Sequence, residues 1–169
     1  MIITLVGYMG SGKSHVAKVL SQKLQLKIID LDREISLKNK MTIPEIFVKK
    51  GEIYFRKQER ETLHQLLNTH SAGILSLGGG TPCFYDNMET INQLTESFFL
   101  RASVGTLVTR LSPQMDKRPL IAHLNPEDLP EFIAKHLFER NVYYSKAKFT
   151  ITTDGKDPEQ VADEIWALV

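Results

Sequence analysis

Gly7-Tyr8-Met9-Gly10-Ser11-Gly12-Lys13-Ser14 is the stretch on which the reading of this chain turns. It matches G-x-x-x-x-G-K-[ST], and at ordinary residue frequencies a chance match in a chain of this length arises about once in two hundred. Its surroundings narrow it further. Apolar Ile2–Val6 precedes the loop, and an amphipathic stretch with Val16, Ala17, Leu20 and Leu24 follows it. Strand, glycine loop and helix in that order form the setting in which such a loop binds phosphate. Glycines let backbone N–H groups wrap a phosphate chain, and a helix beginning at Lys13 presents its positive end to it. The Lys13 ammonium can reach β- and γ-phosphates, and the Ser14 hydroxyl can ligate Mg²⁺. A glycine turn that binds nothing has no use for Lys-Ser at that offset.

Outward from the loop, short apolar runs alternate with longer amphipathic stretches. Ile2–Val6, Lys27–Asp30, Ile74–Leu77, Phe98–Arg101 and Phe149–Thr152 read as strands, several of them apolar on consecutive positions and so covered on both faces. Between them, Thr42-Ile43-Pro44-Glu45 has the spacing of a capping box. Asn125-Pro126 and Asp157-Pro158 each set a capping side chain before a proline suited to a first helical turn. Residues 127–147 carry Leu129, Phe132, Ile133, His136, Leu137 and Val142 near a 3.6-residue period and read as one long helix. The expected fold class is α/β: a three-layer α/β/α arrangement of the P-loop NTPase type, with a parallel sheet of about five strands and helices on both faces. Ser112–Asn125, with Pro113, Asp116, Lys117, Arg118 and Pro119, is the one long irregular segment and is expected to act as a lid loop.

The 169 residues, 42% hydrophobic and 24% charged, suit one domain spanning 1–169 with a core of its own. Lys plus Arg is 21 and Asp plus Glu is 20, so the net charge of +1 offers no general attraction for nucleic acid or an anionic membrane. The lone Cys83 pairs with nothing and leaves no zinc cluster; it is expected as a small, partly buried apolar side chain. No basic leader or long apolar segment is visible, so a cytoplasmic protein without membrane attachment is expected.

The acidic and basic residues sort the phosphate chemistry. A GTPase would show D-x-x-G and N-K-x-D; Asn39-Lys40-Met41-Thr42 lacks the Asp, and no Asp stands three residues before a glycine. A motor ATPase would end its third strand on a carboxylate, whereas that strand ends Leu75-Ser76-Leu77-Gly78. The acids instead close the second strand, in Asp30-Leu31-Asp32. In extended chain, residues i and i+2 project the same way, so both could face a ligand at the crevice where parallel sheets bind. The alternative is that Asp32 caps a helix over residues 33–38. Gly78-Gly79-Gly80 after the third strand could bring a ligand against main chain, or be a loose turn. Arg56, with Glu59 and Arg60 on the same helical face, Arg118 and Arg140 could each be a surface charge or an anion contact.

Taken together these residues resemble the shikimate kinases along nearly the whole chain. The resemblance rests on Gly7–Ser14, Asp30-Leu31-Asp32, Ile46-Phe47 with Gly51-Glu52 and Phe55-Arg56, Gly78-Gly79-Gly80, Arg118-Pro119-Leu120, and Glu139-Arg140 with Tyr144. His15 stands where the family often has a second hydroxyl residue, and Leu31 where Thr is common. The resemblance implies ATP-dependent phosphorylation of the 3-hydroxyl of shikimate, giving shikimate 3-phosphate and ADP in the route to chorismate and the aromatic amino acids. It implies Lys13, Asp32 and Arg118 as catalytic residues. Gly10, Ser11, Gly12, Lys13, Ser14, His15, Arg110, Arg118 and Pro158 would hold the nucleotide, with Arg110 and Pro158 beside the adenine. Asp32, Arg56, Gly78, Gly79, Gly80 and Arg140 would bind shikimate within a region of about 32–60 and beyond, Arg56 and Arg140 on its carboxylate and Glu59 orienting Arg56. Mg²⁺ would be held by Ser14 and Asp30, with Ser76 further out. Phe47 and Phe55 would wall the acceptor pocket, or belong to the core. A monomer that takes ATP and shikimate as its only partners follows. Another small-molecule acceptor, such as gluconate or a nucleotide, is the nearer alternative, and a silent nucleotide-binding module the farther one.

Overall fold

Five short strands, Ile2–Val6 (β1), Ile28–Asp30 (β2), Gly73–Ser76 (β3), Glu96–Arg101 (β4) and Phe149–Thr152 (β5), form one sheet in the order β2-β3-β1-β4-β5, every pairing parallel. They belong to a computed structural model that describes residues 1–169. Helices connect the strands: α1 (Lys13–Leu24), α2 (Leu31–Asn39), α3 (Ile43–Lys50), α4 (Glu52–Thr69), α5 (Asn87–Leu94), α6 (Val104–Leu111), α7 (Leu129–Tyr144) and α8 (Pro158–Trp166).

Both faces of β1 are buried, and alternation along the strand divides the core in two. Ile3 and Leu5 pack with Val16, Ala17 and Leu20 of α1 and Val161, Ala162 and Ile165 of α8. Ile2 and Val6 face the larger cluster, built with Ile35 of α2, Ile46 of α3, Leu63 of α4, Ile91 of α5, Leu107 of α6 and Ile133 of α7. The expected layering is therefore what forms. Because the strand order reverses between β3 and β4 across β1, the loop after β1 opens into the crevice at the carboxyl edge of the sheet.

Several local expectations change. Residue 31 is already helical: Leu31 is fully buried, and the Asp30 carboxylate accepts the Arg33 N–H at 3.0 Å, so Asp30, and not Asp32, caps α2. Asp32 lies in the first helical turn, where a carboxylate meets the positive helix end, rather than in extended chain. Strand ends differ by a residue or two: β2 starts at Ile28, β3 runs 73–76 and β4 starts at Glu96. The helix expected over 127–147 is α7, 129–144, after a 3-10 turn at Pro126–Asp128. Pro130 is tolerated only in a first turn, which sets the start, and Asn125 makes no side-chain cap bond. The capping box at Thr42–Glu45 and the Asp157 cap form as expected, and Gln160 adds a reciprocal bond that makes the second a capping box as well. Segment 112–125 is less irregular than expected, opening with a 3-10 helix over Ser112–Lys117, and fully buried Ile121 anchors its far half.

Candidate active site

A cavity of about 720 Å³ opens at the carboxyl edge of the sheet. Its walls include Gly10, Ser11, Gly12, Lys13, Ser14 and His15 from the loop and start of α1, Asp30 and Asp32 around the start of α2, and Ser76, Gly78 and Gly79 after β3. Arg110 from α6, Arg118 from the segment beyond it and Pro158 from α8 complete the expected residues on this wall.

Two glycines of the loop are required by geometry. Gly7 has φ 148°, and a Cβ there would sit 2.8 Å from the Leu100 carbonyl oxygen. Gly12, at φ 96°, precedes α1 and would point a Cβ into open space, so nothing but the ligand side limits approach to the N–H groups of the first turn. Lys13 Nζ donates to the Gly7 and Tyr8 carbonyl oxygens at 2.6 and 3.0 Å. Burial, helped by the charges of Arg118 and Arg140, brings its ammonium down from the usual lysine range to about 7. An anion in the loop would reverse that pressure.

Asp32 experiences the opposite. Burial first, then the charges of Glu59 and Asp30, raise its carboxyl from 3.8 to about 6, against the pull of Arg56. Arg56, Gly80 and Arg140 are not on the cavity wall proper; they stand directly behind it. A Cβ on Gly79 would lie 3.4 Å from Arg140 Nη1, and one on Gly80 would lie 2.9 Å from Arg56 Nη2. The absent side chains thus let two guanidinium groups close on successive residues of one turn. Each arginine is also held by neighbours. Arg56 Nη1 donates to Glu59 Oε2 at 2.9 Å, its Cζ lies 4.0 Å from the Phe84 ring centre, and its buried Nε makes no hydrogen bond. Arg140 lies over the Tyr8 ring at 5.9 Å, and the Tyr144 hydroxyl donates to the Gly79 carbonyl at 2.6 Å. Phe55 is buried and stacks at 4.5 Å on Phe47, which is at the border of exposure, so the pair forms a partly open apolar ledge beside Arg56.

Arg110 spends its N–H groups on main chain. Nη1 donates to the Gly10 carbonyl at 3.2 Å and Nη2 to the Thr153 carbonyl at 3.2 Å, tying the loop to the end of β5. Its planar face is what remains to meet a ligand. Arg118 Nη2 donates to Gln114 Oε1 at 3.5 Å, its one side-chain hydrogen bond. Hard oxygen donors for a magnesium ion are present in Ser14, Asp30 and Asp32 on the cavity wall, although Asp30 Oδ1 is engaged at the α2 cap. No three His, Cys, Asp or Glu side chains gather as a cage. A sparse oxygen set fits an ion that keeps its waters and takes further ligands from phosphates.

Sequence reasoning passed over Thr81 and Phe84 as contributors, and quoted Tyr8 and Tyr144 within motifs without giving them a role. Thr81 directly follows the glycine triplet, the only hint available; Phe84 is a single aromatic without a pattern. Cys83 is half-buried, with Sγ 4.0 Å from the Gly79 carbonyl oxygen, as its composition reading expected. No helix is long and apolar enough to cross a membrane.

The same chain matches the model of the shikimate kinase family from residue 9 to residue 169. The chain belongs to the shikimate kinase family. A shikimate kinase of Flavobacterium psychrophilum is 47% identical over 168 residues, covering 99% of this chain and 98% of that one. Among solved structures, the shikimate kinase of Bacteroides thetaiotaomicron superposes with a TM-score of 0.90 at 34% identity, over 99% of this chain and 97% of its own. The Acinetobacter baumannii shikimate kinase, solved in complex with shikimate, gives 0.85 at 33% identity, over 99% and 91%. Membership makes the chain a P-loop kinase of aromatic amino acid biosynthesis.

Proposed function

We propose that this shikimate kinase transfers the γ-phosphoryl group of MgATP to the 3-hydroxyl of shikimate, giving shikimate 3-phosphate and ADP. The observation that carries the reading is the convergence of Arg56 and Arg140 on Gly80 and Gly79, beside Asp32 and across from Lys13. Two guanidinium groups suit a small planar carboxylate, which each can grip through parallel N–H donors. A carboxylate so held places a ring hydroxyl toward Asp32 and the γ-phosphorus.

In this reading Asp32 accepts the hydrogen bond of the attacking hydroxyl and takes its proton as the new P–O bond forms and the bond to the β-phosphate oxygen breaks. Its raised pKa suits it to hold that proton. Lys13 and Arg118 neutralise charge on the transferring group, and the N–H groups of residues 10–15 hold the phosphate chain. Arg110 offers its planar face to the adenine, with Pro158 on the α8 side. Magnesium, when bound by Ser14 and through Asp30, with Ser76 further out, neutralises phosphate charge. Gly78 gives the acceptor close access to main chain. The segment 112–125 closes over the site and excludes water, which would otherwise accept the phosphoryl group. The reading includes a cytoplasmic monomer with no nucleic acid or membrane partner, supported by the near-neutral charge.

The test is a coupled ADP-release assay with shikimate, gluconate and nucleoside monophosphates as acceptors. Turnover with shikimate alone is expected; preferred turnover of either other class, or ATP binding without turnover of any acceptor, overturns the reading.

A further inference from the structure

We infer that Thr81 is a positioning residue for the acceptor site: its hydroxyl fixes Glu59, and Glu59 in turn sets the angle at which Arg56 meets the acceptor carboxylate. The inference rests on the proposed reaction and carries it one residue further from the substrate. Glu59 and Thr81 are both buried, at 1% and 0% exposure. The two carboxylate oxygens of Glu59 each receive one donor from this pair of neighbours, Thr81 Oγ1 to Oε1 at 2.6 Å and Arg56 Nη1 to Oε2 at 2.9 Å.

Arg56 needs that constraint. The Phe84 ring, 4.0 Å from Cζ, packs against the guanidinium but offers it no hydrogen-bond acceptor that would fix its direction. One hydrogen bond, to Glu59, holds its direction; Nε makes no hydrogen bond and has only a long ion pair, 3.6 Å, to the exposed Glu52 carboxylate. The guanidinium then meets Gly80 with both terminal nitrogens, 2.9 and 3.0 Å from where a Cβ would stand. Thr81 can serve as the fixed end because its main chain is pinned: Thr81 N donates to the Gly78 carbonyl at 3.2 Å, and Asn87 Nδ2 donates to the Thr81 carbonyl at 2.9 Å. The hydroxyl makes one hydrogen bond, the one to Glu59. Without it, a buried carboxylate oxygen would lose its donor and Glu59 would turn to share Arg56 between both oxygens.

Thr81→Val removes the donor at nearly constant volume; Thr81→Ser restores it. Loss of a buried bond to a charged group is expected to raise the shikimate KM about ten-fold or more in Thr81→Val. The ATP KM and kcat are expected to stay within about two-fold, because uniform acceptor binding is what is lost. Thr81→Ser is expected to return the acceptor KM to near wild type, which a filler of space alone would not do. If Thr81→Val fails to fold, Thr81→Ala replaces it. An independent readout uses the ¹⁵N guanidinium signals of the ligand-free protein, assigned with Arg56→Lys. A resolved Arg56 Nη set is expected in wild type and Thr81→Ser and its collapse in Thr81→Val. Retained Arg56 signals together with an unchanged acceptor KM overturn the inference. Signal collapse in Thr81→Val but not in wild type or Thr81→Ser, in a protein whose wild type turns over no shikimate, upholds the Thr81–Glu59–Arg56 linkage and overturns the proposed reaction instead.

Discussion

Replacing Asp32 by Asn should make the ligand-free protein more stable at pH 7.5 and no more stable at pH 4.5, while removing most of its activity. The carboxyl of Asp32 sits at about 6 in the folded protein against its ordinary 3.8, chiefly because it is buried and faces Glu59 and Asp30. Between those values the folded chain binds more protons at this site than the unfolded chain. The contribution of Asp32 to stability is therefore greatest below about pH 4 and is lost as pH rises through about 6. A shift of about two pKa units costs about 3 kcal/mol once the group is ionised. The Asn amide avoids the charge but must still be desolvated, at about 1–2 kcal/mol, which leaves a gain of about 1–2 kcal/mol. For a chain of this size each kcal/mol moves Tm by about 2–4 °C, so Asp32→Asn should melt about 3–6 °C higher at pH 7.5. At pH 4.5 the folded wild-type carboxyl is already neutral, the wild type has regained about 2 kcal/mol, and Asp32→Asn should melt at or slightly below it. Scanning calorimetry without nucleotide or magnesium reads the stability, and the ADP-release assay reads the activity, where kcat should fall about 10²-fold or more with the loss of a proton acceptor. An equal Tm gain at both pH values, or a lower Tm at pH 7.5, would refute the electrostatic account of Asp32.

Lys13→Ala is expected to abolish turnover, a loss of 10³-fold or more on the order of a charged transition-state contact, with an unchanged far-ultraviolet circular dichroism spectrum. Arg140→Ala should cut kcat/KM for shikimate by about 10²-fold, since it leaves the substrate carboxylate with half its partners, while ATP binding measured calorimetrically stays near wild type. Gly80→Ala places a methyl 2.9 Å from Arg56 Nη2 at a backbone φ of −82° that alanine adopts freely. It should therefore spare stability, with the alanine returning about 0.4–1 kcal/mol through the unfolded chain, and raise the shikimate KM by displacing Arg56.

The sheet was legible where a strand is covered on both faces, as β1 is, because such a strand reads as a nearly continuous apolar run. The loop was legible because its glycines, lysine and serine have no other joint use. What could not be read was set by contacts distant in sequence. The approach of Arg56 and Arg140 to neighbouring glycines depends on how α4 and α7 pack, which no local pattern encodes. Thr81 and Phe84 acquire their roles only from that approach. The Asp30–Asp32 pair was misread as extended chain because the reading weighed period and not burial. Leu31 had to enter the core, and once it did the chain turned helical with Asp30 as its cap. Pro130 likewise trimmed α7, a local rule that the longer apolar period obscured.

The two perturbed groups on the cavity wall explain why a chain of net charge +1 can work on two anions. Lys13 is pressed down to about 7 by burial beside Arg118 and Arg140, and Asp32 is pressed up to about 6 by burial beside Glu59 and Asp30. Like charges are thus gathered at each end of one cavity, and each gathering costs stability that a dispersed surface would not. Burial and like charge press a lysine and an aspartate out of their ordinary ranges within one cavity, the kind of cost that functional sites carry. The lysine end is short of negative charge, which a triphosphate brings; the aspartate end needs a proton donor, which an alcohol brings. A substrate pair that supplies both relieves both strains at once, and the transfer of a phosphoryl group from the first to the second passes between them.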